Sequence, residues 1–280
     1  MSLTFKFLGT GTSVGVPQIG CSCPVCTSAD PRDKRRRCGA YVTSGDSAFL
    51  IDTPPELREA CIAYSIRKVD AVLLTHAHMD HIAAFDDIRR FNTINGEVVP
   101  CDPASPGANG RTTRVVGKVM KCYALPETIA SMHNIFPYIS TQGGTGGLYR
   151  PQVEFVENTE PFSIGRIGIE AFRVEHGFPC CGYSLSAADG KRIAYISDCH
   201  DISDDVVEKL SGVEILILNC LRMREHPTHL SLDRALEYIS RISPGETYLT
   251  HLCHDFKYTD WLARLPGGVA PAYDGLELVL

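Results

Sequence analysis

The stretch THAHMDH at residues 75–81 constrains the fold and chemistry of this chain more than any other feature. It places His76, His78, Asp80 and His81 within six residues, directly after the apolar run AVLL. A single histidine is usually a core or surface residue, but three histidines and an aspartate at the end of a strand rarely serve packing. The motif therefore predicts a metal site at this strand end.

Three other apolar runs also end on a side chain that can bind a metal. IEAFRVE is followed by His176, RIAYIS by Asp198 and TYLT by His251. Helical patterns lie between such runs, for example at residues 54–67 and 231–242, and this mixture predicts a layered α/β domain. If the strand ends share one edge, seven imidazole and carboxylate ligands converge there, a set that suits Zn, Mn or Fe.

The ligand mixture predicts one site of three histidines and one of aspartate and two histidines, bridged by a carboxylate. Two metals about 3.5–4 Å apart lower the pKa of a shared water and supply a nucleophile at neutral pH. They also neutralise the charge that develops on a phosphoryl or acyl group.

Three of the twelve cysteines cluster in GCSCPVC at residues 20–26. The chain start lacks the apolar run of a secretion signal, so we expect a reducing, cytoplasmic location. Clustered cysteines in that setting are typical metal ligands. From the residues alone, reactive thiols or an iron–sulfur segment stay open as alternatives for Cys21, Cys23 and Cys26.

Charge and hydropathy exclude several classes of partner. The net charge is −6, which argues against general nucleic-acid binding. The run DKRRR at 33–37 could form a local basic patch, but we expect a solvated loop there. No stretch approaches the ~20 apolar residues of a membrane helix, so we predict no membrane association.

The chain organisation predicts a single domain over residues 1–280. Pro- and Gly-rich composition predicts loop insertions near 95–118 and 141–150. The turn GTGTS at 9–13 is compatible with phosphate binding through backbone N–H groups and equally with close packing. FDDIRRFN at 85–92 is compatible with bracing of the ligands or with a surface-charged helix, through Asp86, Asp87 and Arg89.

THAHMDH resembles the HxHxDH motif of the metallo-β-lactamase fold hydrolases. The resemblance covers essentially the whole chain and implies a four-layer αββα sandwich. It also implies that His176, Asp198 and His251 are the remaining metal ligands. Asp52, in FLIDTPP, matches the first motif of that superfamily and is expected to hold the metal ligands or brace their loop from a buried position rather than to bind metal itself.

A closer resemblance is to the bacterial phosphoribosyl 1,2-cyclic phosphate phosphodiesterases, relatives of the ribonuclease Z type tRNA endonucleases. It is carried by residues 7–26, 75–81, 182–185, 195–198 and 249–256. This family implies a structural zinc held by Cys21, Cys23, Cys26 and His254, with Cys253 as the competitor for the fourth position.

The same resemblance implies a catalytic arrangement. Two divalent metals, Zn or Mn, are expected at His76/His78/His176 and at Asp80/His81/His251, with Asp198 bridging. A metal hydroxide is expected to attack phosphorus, and His229 in EHPTHLSLDRAL to protonate the leaving oxygen, with His226 as the competing assignment. His229 and Asp80 are the expected catalytic residues.

The resulting prediction is hydrolysis of a small cyclic or nucleotide-like phosphodiester, in a chain that could form a homodimer. The alternatives are tRNA 3′-processing, thioester or lactam hydrolysis, and a role like that of the B protein of pyrroloquinoline quinone biosynthesis. The last family resembles the CxCxxC segment but has a degraded metal motif, whereas the motif is intact here.

Overall fold

The computed structural model describes residues 2–105, 108–139 and 150–280. In chain order its strands are β1 Thr4–Gly9, β2 Gly39–Ser44, β3 Ser47–Ile51, β4 Ala71–Leu73, β5 Glu97–Pro100, β6 Thr113–Val116, β7 Met120–Ala124, β8 Val153–Glu157, β9 Phe162–Ile164, β10 Ile167–Val174, β11 Cys180–Ser186, β12 Arg192–Ile196, β13 Ile215–Asn219, β14 Glu246–Thr250, β15 Val269–Pro271 and β16 Glu277–Val279. Its α-helices are α1 Leu57–Ala63, α2 Met79–Ile82, α3 Arg89–Ile94, α4 Pro126–Ile135, α5 Asp204–Leu210, α6 Leu232–Ile242 and α7 Tyr258–Leu262, with 3₁₀ turns at Pro31–Asp33 and Phe85–Ile88.

Two seven-stranded sheets form the centre of the domain. The first has the order β16-β1-β2-β3-β4-β7-β8 and the second β15-β14-β13-β12-β11-β10-β9. Apolar residues of α1 to α4 pack on the outer face of the first sheet, and those of α5, α6 and α7 pack on the second. The fold is the predicted αββα sandwich.

The alternation of side chains along each strand creates these layers. On β4, Leu73 faces the core between the sheets and Val72 faces the helices. On β12, Tyr195 points to the central core, whereas Ala194 and Ile196 point to the outer helices. Both faces of the strand are buried, which explains the nearly continuous apolar runs in the sequence.

The strand directions bring the potential ligands to one edge of the sandwich. Strands β3 and β4 run parallel in the first sheet, and β12, β13 and β14 run parallel in the second. Two antiparallel pairings make β10 run in the same direction as β12. Their carboxyl ends therefore meet at a common edge, as expected for ligand sites in parallel sheets.

Local residue types define the start of α6 and the end of α5. The Ser231 side chain accepts a hydrogen bond from the backbone N–H of Arg234, an N-cap interaction. Gly212 follows the C-cap of α5 with a φ of 67°, the left-handed conformation that glycine adopts without strain.

The segment at 95–118 is more ordered than its composition predicts. Strands β5 and β6 pair as an antiparallel two-stranded sheet within it. The predicted loop at 141–150 lies outside the described residues except for Arg150. Its role as an insertion, and the single-domain organisation as a whole, stay predictions.

The prediction of a solvated loop for DKRRR at 33–37 is wrong for its central part. Asp33 and Arg35 are each 1% exposed. The Arg35 guanidinium donates to the carbonyl oxygens of Cys253 at 2.7 Å and Phe256 at 3.1 Å, and lies 3.5 Å from Asp33 Oδ1. These acceptors come from a distant segment, which is why the local composition gave no indication of burial.

The GTGTS turn at 9–13 is a packing turn. The Gly11 N–H donates to the Arg36 carbonyl at 2.7 Å, and the Thr12 N–H donates to the Leu252 carbonyl at 3.2 Å. A Cβ atom at Gly11 would lie 2.7 Å from the Arg35 carbonyl oxygen, so only glycine allows this approach. Both N–H groups are thus engaged within the protein and do not face a phosphate.

Replacing Arg35 with methionine should destabilise the fold by about 3–5 kcal/mol, because Asp33 would keep a buried charge without its cation. The midpoint of urea unfolding, measured with zinc present, reports this loss. Arg32→Met removes an exposed ion pair with Asp30 from the same segment and serves as the control. Equal midpoints for the two variants would contradict the role of the buried pair.

Candidate metal centre

Three histidines form the first potential metal group at the common strand edge. His76 and His78 follow β4, and His176 follows β10. His76 Nε2 lies 2.9 Å from His78 Nδ1, which lies 3.3 Å from His176 Nε2. Nitrogen ligands at 2.0–2.1 Å from a tetrahedral zinc are about 3.3 Å apart. The three rings thus have the spacing that a divalent cation requires.

A second group lies beside the first and shares Asp198 with it. His81 Nε2 is 3.4 Å and His251 Nε2 is 3.9 Å from Asp80 Oδ2. Asp198 places Oδ2 at 3.1 Å from His81 Nε2 and Oδ1 at 3.0 Å from His251 Nε2. Its Oδ1 is also 3.9 Å from His176 Nε2. The carboxylate thus stands between the two groups, and its role as a bridging ligand stays a prediction.

Asp52 supports one histidine of each group through hydrogen bonds. His81 Nδ1 lies 2.7 Å from Asp52 Oδ2, and the Thr75 hydroxyl donates to the same oxygen at 2.8 Å. Thr75 Oγ1 in turn lies 3.0 Å from His76 Nδ1. Each ring is hydrogen-bonded at its Nδ1 atom and directs its Nε2 atom toward the cluster. Asp52 thus lies where a residue that supports the ligands would lie.

Two supporting groups were not predicted from the sequence. Thr75 connects Asp52 to His76, and its position directly before HAHMDH is the only signal that marks it. The Thr228 carbonyl accepts from His176 Nδ1 at 2.8 Å. Because that acceptor is a backbone group, no side-chain type could have indicated it.

Two residues of the site adopt a left-handed backbone conformation. Asp52 has a φ of 63° and His251 a φ of 60°, values that are uncommon outside glycine. Such strain persists where surrounding contacts hold it, and it is frequent at functional sites. At Asp52 the backbone N–H donates to the Leu73 carbonyl at 2.8 Å, which holds the turn in place.

The donor set fits divalent metals. His81 Nε2, His251 Nε2 and Asp198 Oδ2 are buried and have no hydrogen-bond partner among the described residues. Buried polar atoms without partners are costly, and a cation would satisfy all three. Burial opposes the charge of Asp198, yet the positive charges of His251 and His81 hold its pKa well below the usual range.

Burial also keeps His76 in the form that binds metal. It lowers the pKa of His76 well below the ordinary value, and the charge of His81 lowers it further. A neutral imidazole offers the lone pair that a metal needs. The site therefore combines the neutral imidazole of His76 with the ionised carboxylate of Asp198, two donor types that suit Zn or Mn.

The cysteine cluster meets His254 as predicted. The sulfur atoms of Cys21, Cys23 and Cys26 lie 3.4, 3.5 and 3.4 Å from His254 Nδ1. Zn–S bonds of 2.3 Å and a Zn–N bond of 2.0–2.1 Å give tetrahedral edges of about 3.5 Å. Cys253 is not part of this group of possible ligands. The four side chains therefore fit a closed, structural zinc site.

One cysteine of this cluster is prepared for metal binding by the backbone. The Cys26 N–H donates to Cys23 Sγ at 3.4 Å, and this bond is the largest cause that lowers the pKa of Cys23 to about 6. Cys23 is therefore a thiolate at neutral pH, the form that binds zinc.

His229 lies against both metal groups. Its ring centroid is 4.5 Å from that of His251 and 4.8 Å from that of His176. Burial, and then the positive charge of His251, lowers the pKa of His229 to about 2, below the 6.5 of a free imidazole. His226, the competing candidate, has its ring centroid 5.1 Å from that of His229 and is more exposed.

The segment FDDIRRFN carries an ion pair near the surface, and its bracing role stays a prediction. Asp86 and Arg89 form an exposed ion pair of 3.1 Å within one turn. Asp86, Asp87 and Arg89 are absent from the groups of possible metal ligands among the described residues.

A family described as the beta-lactamase superfamily domain matches residues 48–252. The chain therefore belongs to the beta-lactamase superfamily and is a metal-dependent hydrolase that binds divalent metal. Within it, the chain falls in the PhnP branch, because it is 33% identical to a solved structure described as a new diphosphatase from the PhnP family. That similarity covers 100% of this chain and 98% of the other, with a TM-score of 0.83.

Two other similarities are informative. An octanoyltransferase of Porphyromonas gingivalis is 31% identical over 277 residues, which cover 98% of this chain and 51% of that protein, so the chain spans about half its length. Zn²⁺-bound PqqB from Methylobacterium extorquens is 19% identical, with a TM-score of 0.74 over 99% of this chain and 100% of the other. At that identity the likeness shows the fold alone.

Across the described part of the chain, no helix is long and apolar enough to cross a membrane.

Replacing Cys23 with serine should lower the zinc content by about one atom per chain, because the closed site loses one of its four ligands. Metal analysis of the purified protein measures this directly. Cys122→Ser changes a buried cysteine outside the cluster and is the control. Equal zinc content in the Cys23→Ser variant and the parent would remove the structural site.

Proposed function

We propose that this protein is a dinuclear metal-dependent phosphodiesterase that acts on a small cyclic or nucleotide-like phosphodiester, such as phosphoribosyl 1,2-cyclic phosphate. The observation that carries the proposal is the position of Asp198 between a three-histidine group and an Asp/His/His group. A shared carboxylate is the arrangement that holds two cations close together. The proposed complement is two catalytic ions, Zn or Mn, and one structural Zn.

Metals held by these ligands would polarise the phosphoryl oxygens and acidify a water molecule at neutral pH. The chain itself supplies the placement. Asp52 and the Thr228 carbonyl fix the rings of His81 and His176 through their Nδ1 atoms, so that the ligand nitrogens are in position before substrate arrives. Such preorganisation avoids reorganisation during the reaction. Asp80 completes the second group on its open side, where it is the more exposed of the two carboxylates.

His229 is the proposed hydrogen donor to the departing oxygen. It is 8% exposed and lines a small surface pocket with His226, Ser231 and Arg234. A substrate phosphate between the metal groups would place one of its oxygens near this ring. The negative charge that develops on that oxygen then finds a donor already in place.

Phe178 provides a surface for the organic part of the substrate. Its side chain is 36% exposed, and its ring centroid lies 5.0 Å from that of His78. An exposed aromatic face next to a metal ligand suits contact with a sugar or a base. Such a small platform favours a compact substrate over a long polynucleotide.

Diphosphate hydrolysis is the second candidate, and the PhnP-family relative at 33% identity favours it, since that protein is described as a diphosphatase. Cleavage of a P–O–P bridge and of a P–O–C diester needs the same two-metal placement. The quinone-biosynthesis alternative has weaker support, because Coenzyme PQQ synthesis protein B of a Methylobacterium is 25% identical over 76% of this chain, below the 33% of the PhnP-family relative. The tRNA-processing alternative has support from the fold alone. The net charge of −6 also argues against RNA as the partner.

Steady-state hydrolysis of three compounds by the Zn- or Mn-loaded enzyme tests the proposal. The compounds are 5-phosphoribosyl 1,2-cyclic phosphate, diadenosine diphosphate and bis(p-nitrophenyl) phosphate. We expect the highest kcat/KM for the cyclic diester, since its compact sugar fits beside Phe178. A highest kcat/KM for the diphosphate would select the second candidate, and no hydrolysis of any of them would reject phosphodiesterase activity.

His229→Ala should lower kcat on the natural diester by about 10²–10⁴-fold, the range for loss of a general acid or equivalent donor. Metal content should be unchanged. His226→Ala, which alters the neighbouring ring, is the matched control and should cost far less. A larger loss for His226→Ala than for His229→Ala would transfer the donor role to His226.

A further inference from the structure

A buried asparagine stands at the same strand edge as the metal ligands. Asn219 ends β13, which lies between β12 and β14 and runs parallel to both. The two strands that flank β13 are β12, which is followed by Asp198, and β14, which is followed by His251. The Asn219 side chain is completely buried, so each of its polar atoms needs a partner within the protein.

The orientation of the Asn219 amide is fixed by two backbone groups. Its Oδ1 accepts from the Leu230 N–H at 2.8 Å, and its Nδ2 donates to the Ser197 carbonyl at 2.8 Å. A backbone N–H only donates and a backbone carbonyl only accepts. The positions of oxygen and nitrogen in this amide therefore cannot be exchanged without losing both bonds.

The second hydrogen of this amide points to His229. Asn219 Nδ2 lies 3.3 Å from His229 Nδ1. Because the Nδ2 group can only donate, His229 Nδ1 must accept and carries no hydrogen in this arrangement. The hydrogen of the ring is then on Nε2, and no described residue is hydrogen-bonded to that atom.

The same contact keeps His229 out of the metal shell. His229 could form a metal group with His176 and Asp198, and its Nδ1 is 3.7 Å from Asp198 Oδ1. A nitrogen whose lone pair accepts from Asn219 cannot also bind a cation. The amide therefore separates the His229 imidazole from the five imidazoles of the two metal groups.

We propose that Asn219 is the positioning residue that makes His229 a hydrogen donor to substrate rather than a metal ligand. It does so by occupying Nδ1, so that the neutral ring presents its Nε2–H as a hydrogen bond to the departing oxygen while the proton stays on the nitrogen. The catalytic part of this inference rests on the proposed phosphodiesterase function. The hydrogen-bonding part does not, and it can be measured without substrate.

The direct test is ¹⁵N NMR of the histidine rings in the zinc-loaded full-length protein, with His229 assigned by comparison with His229→Ala. We expect hydrogen on Nε2 and none on Nδ1 in the parent protein. In Asn219→Asp the carboxylate can accept from the ring, so we expect hydrogen on Nδ1. Hydrogen on Nδ1 in the parent, or zinc bound by His229, would overturn the proposal whether or not Asn219→Asp folds.

Kinetics provide the second readout. Asn219→Asp should lower kcat by about 10–100-fold on a diester with an alkoxide leaving group, with little change in KM. It should have a much smaller effect on bis(p-nitrophenyl) phosphate, whose leaving group delocalises its negative charge and gains little from a hydrogen bond. Equal losses on the two substrates would indicate general damage and reject the positioning role.

Asn92→Asp is the matched control. Asn92 is also buried, and its amide also joins backbone groups, the carbonyls of Lys118 and Gln152 and the N–H of Gln152. Its replacement should leave the hydrogen position on His229 unchanged. If Asn92→Asp moves that hydrogen as Asn219→Asp does, the effect is not specific to the contact with His229, and the proposal fails.

Discussion

The buried carboxyl group of Asp52 is the contact on which the geometry of the metal centre depends. It accepts from the backbone N–H and hydroxyl of Thr75 and from His81 Nδ1, at 2.7–2.8 Å. Since Asp52 follows β3 and Thr75 follows β4, these bonds also join two neighbouring strands. The Asp52 side chain thereby aligns one histidine in each metal group. The left-handed backbone at Asp52 directs the carboxyl group to these partners, and the hydrogen bonds in turn stabilise that backbone conformation.

The remaining geometry follows from strand direction. Parallel strands in each sheet end at one edge, so residues far apart in sequence meet without long connections. This is why the strand-end pattern in the sequence was informative. His176, Asp198 and His251 were selected because each followed an apolar run, and the structure brings all three to within 4 Å of another ligand atom. The resemblance to a known family added the fourth member of the cysteine cluster, which spacing alone left open.

Other parts of the site could not be predicted, and the reason is physical. Asn219 stands at the end of an apolar strand, much as Asp198 does. An amide is not a usual metal ligand, so the residue type of Asn219 does not mark it as a site residue. The group of Thr228 that supports His176 is its backbone carbonyl. Because every residue has such a group, the residue type gives no signal of this role. Arg35 lies in a run of charges that is typical of exposed loops, and only the distant carbonyls of Cys253 and Phe256 make its burial favourable.

The segment that follows β14 connects the cysteine cluster to the candidate metal centre. His251 lies in the candidate metal centre with a left-handed backbone, and three contacts hold the residues after it in place. Leu252 pairs with the glycine turn through Gly11, Cys253 accepts from buried Arg35, and His254 meets the cysteine sulfurs. Left-handed strain persists only where neighbours hold it. A zinc ion held by the three cysteines and His254 would therefore support His251 mechanically from three residues away, although it would lie outside the candidate metal centre.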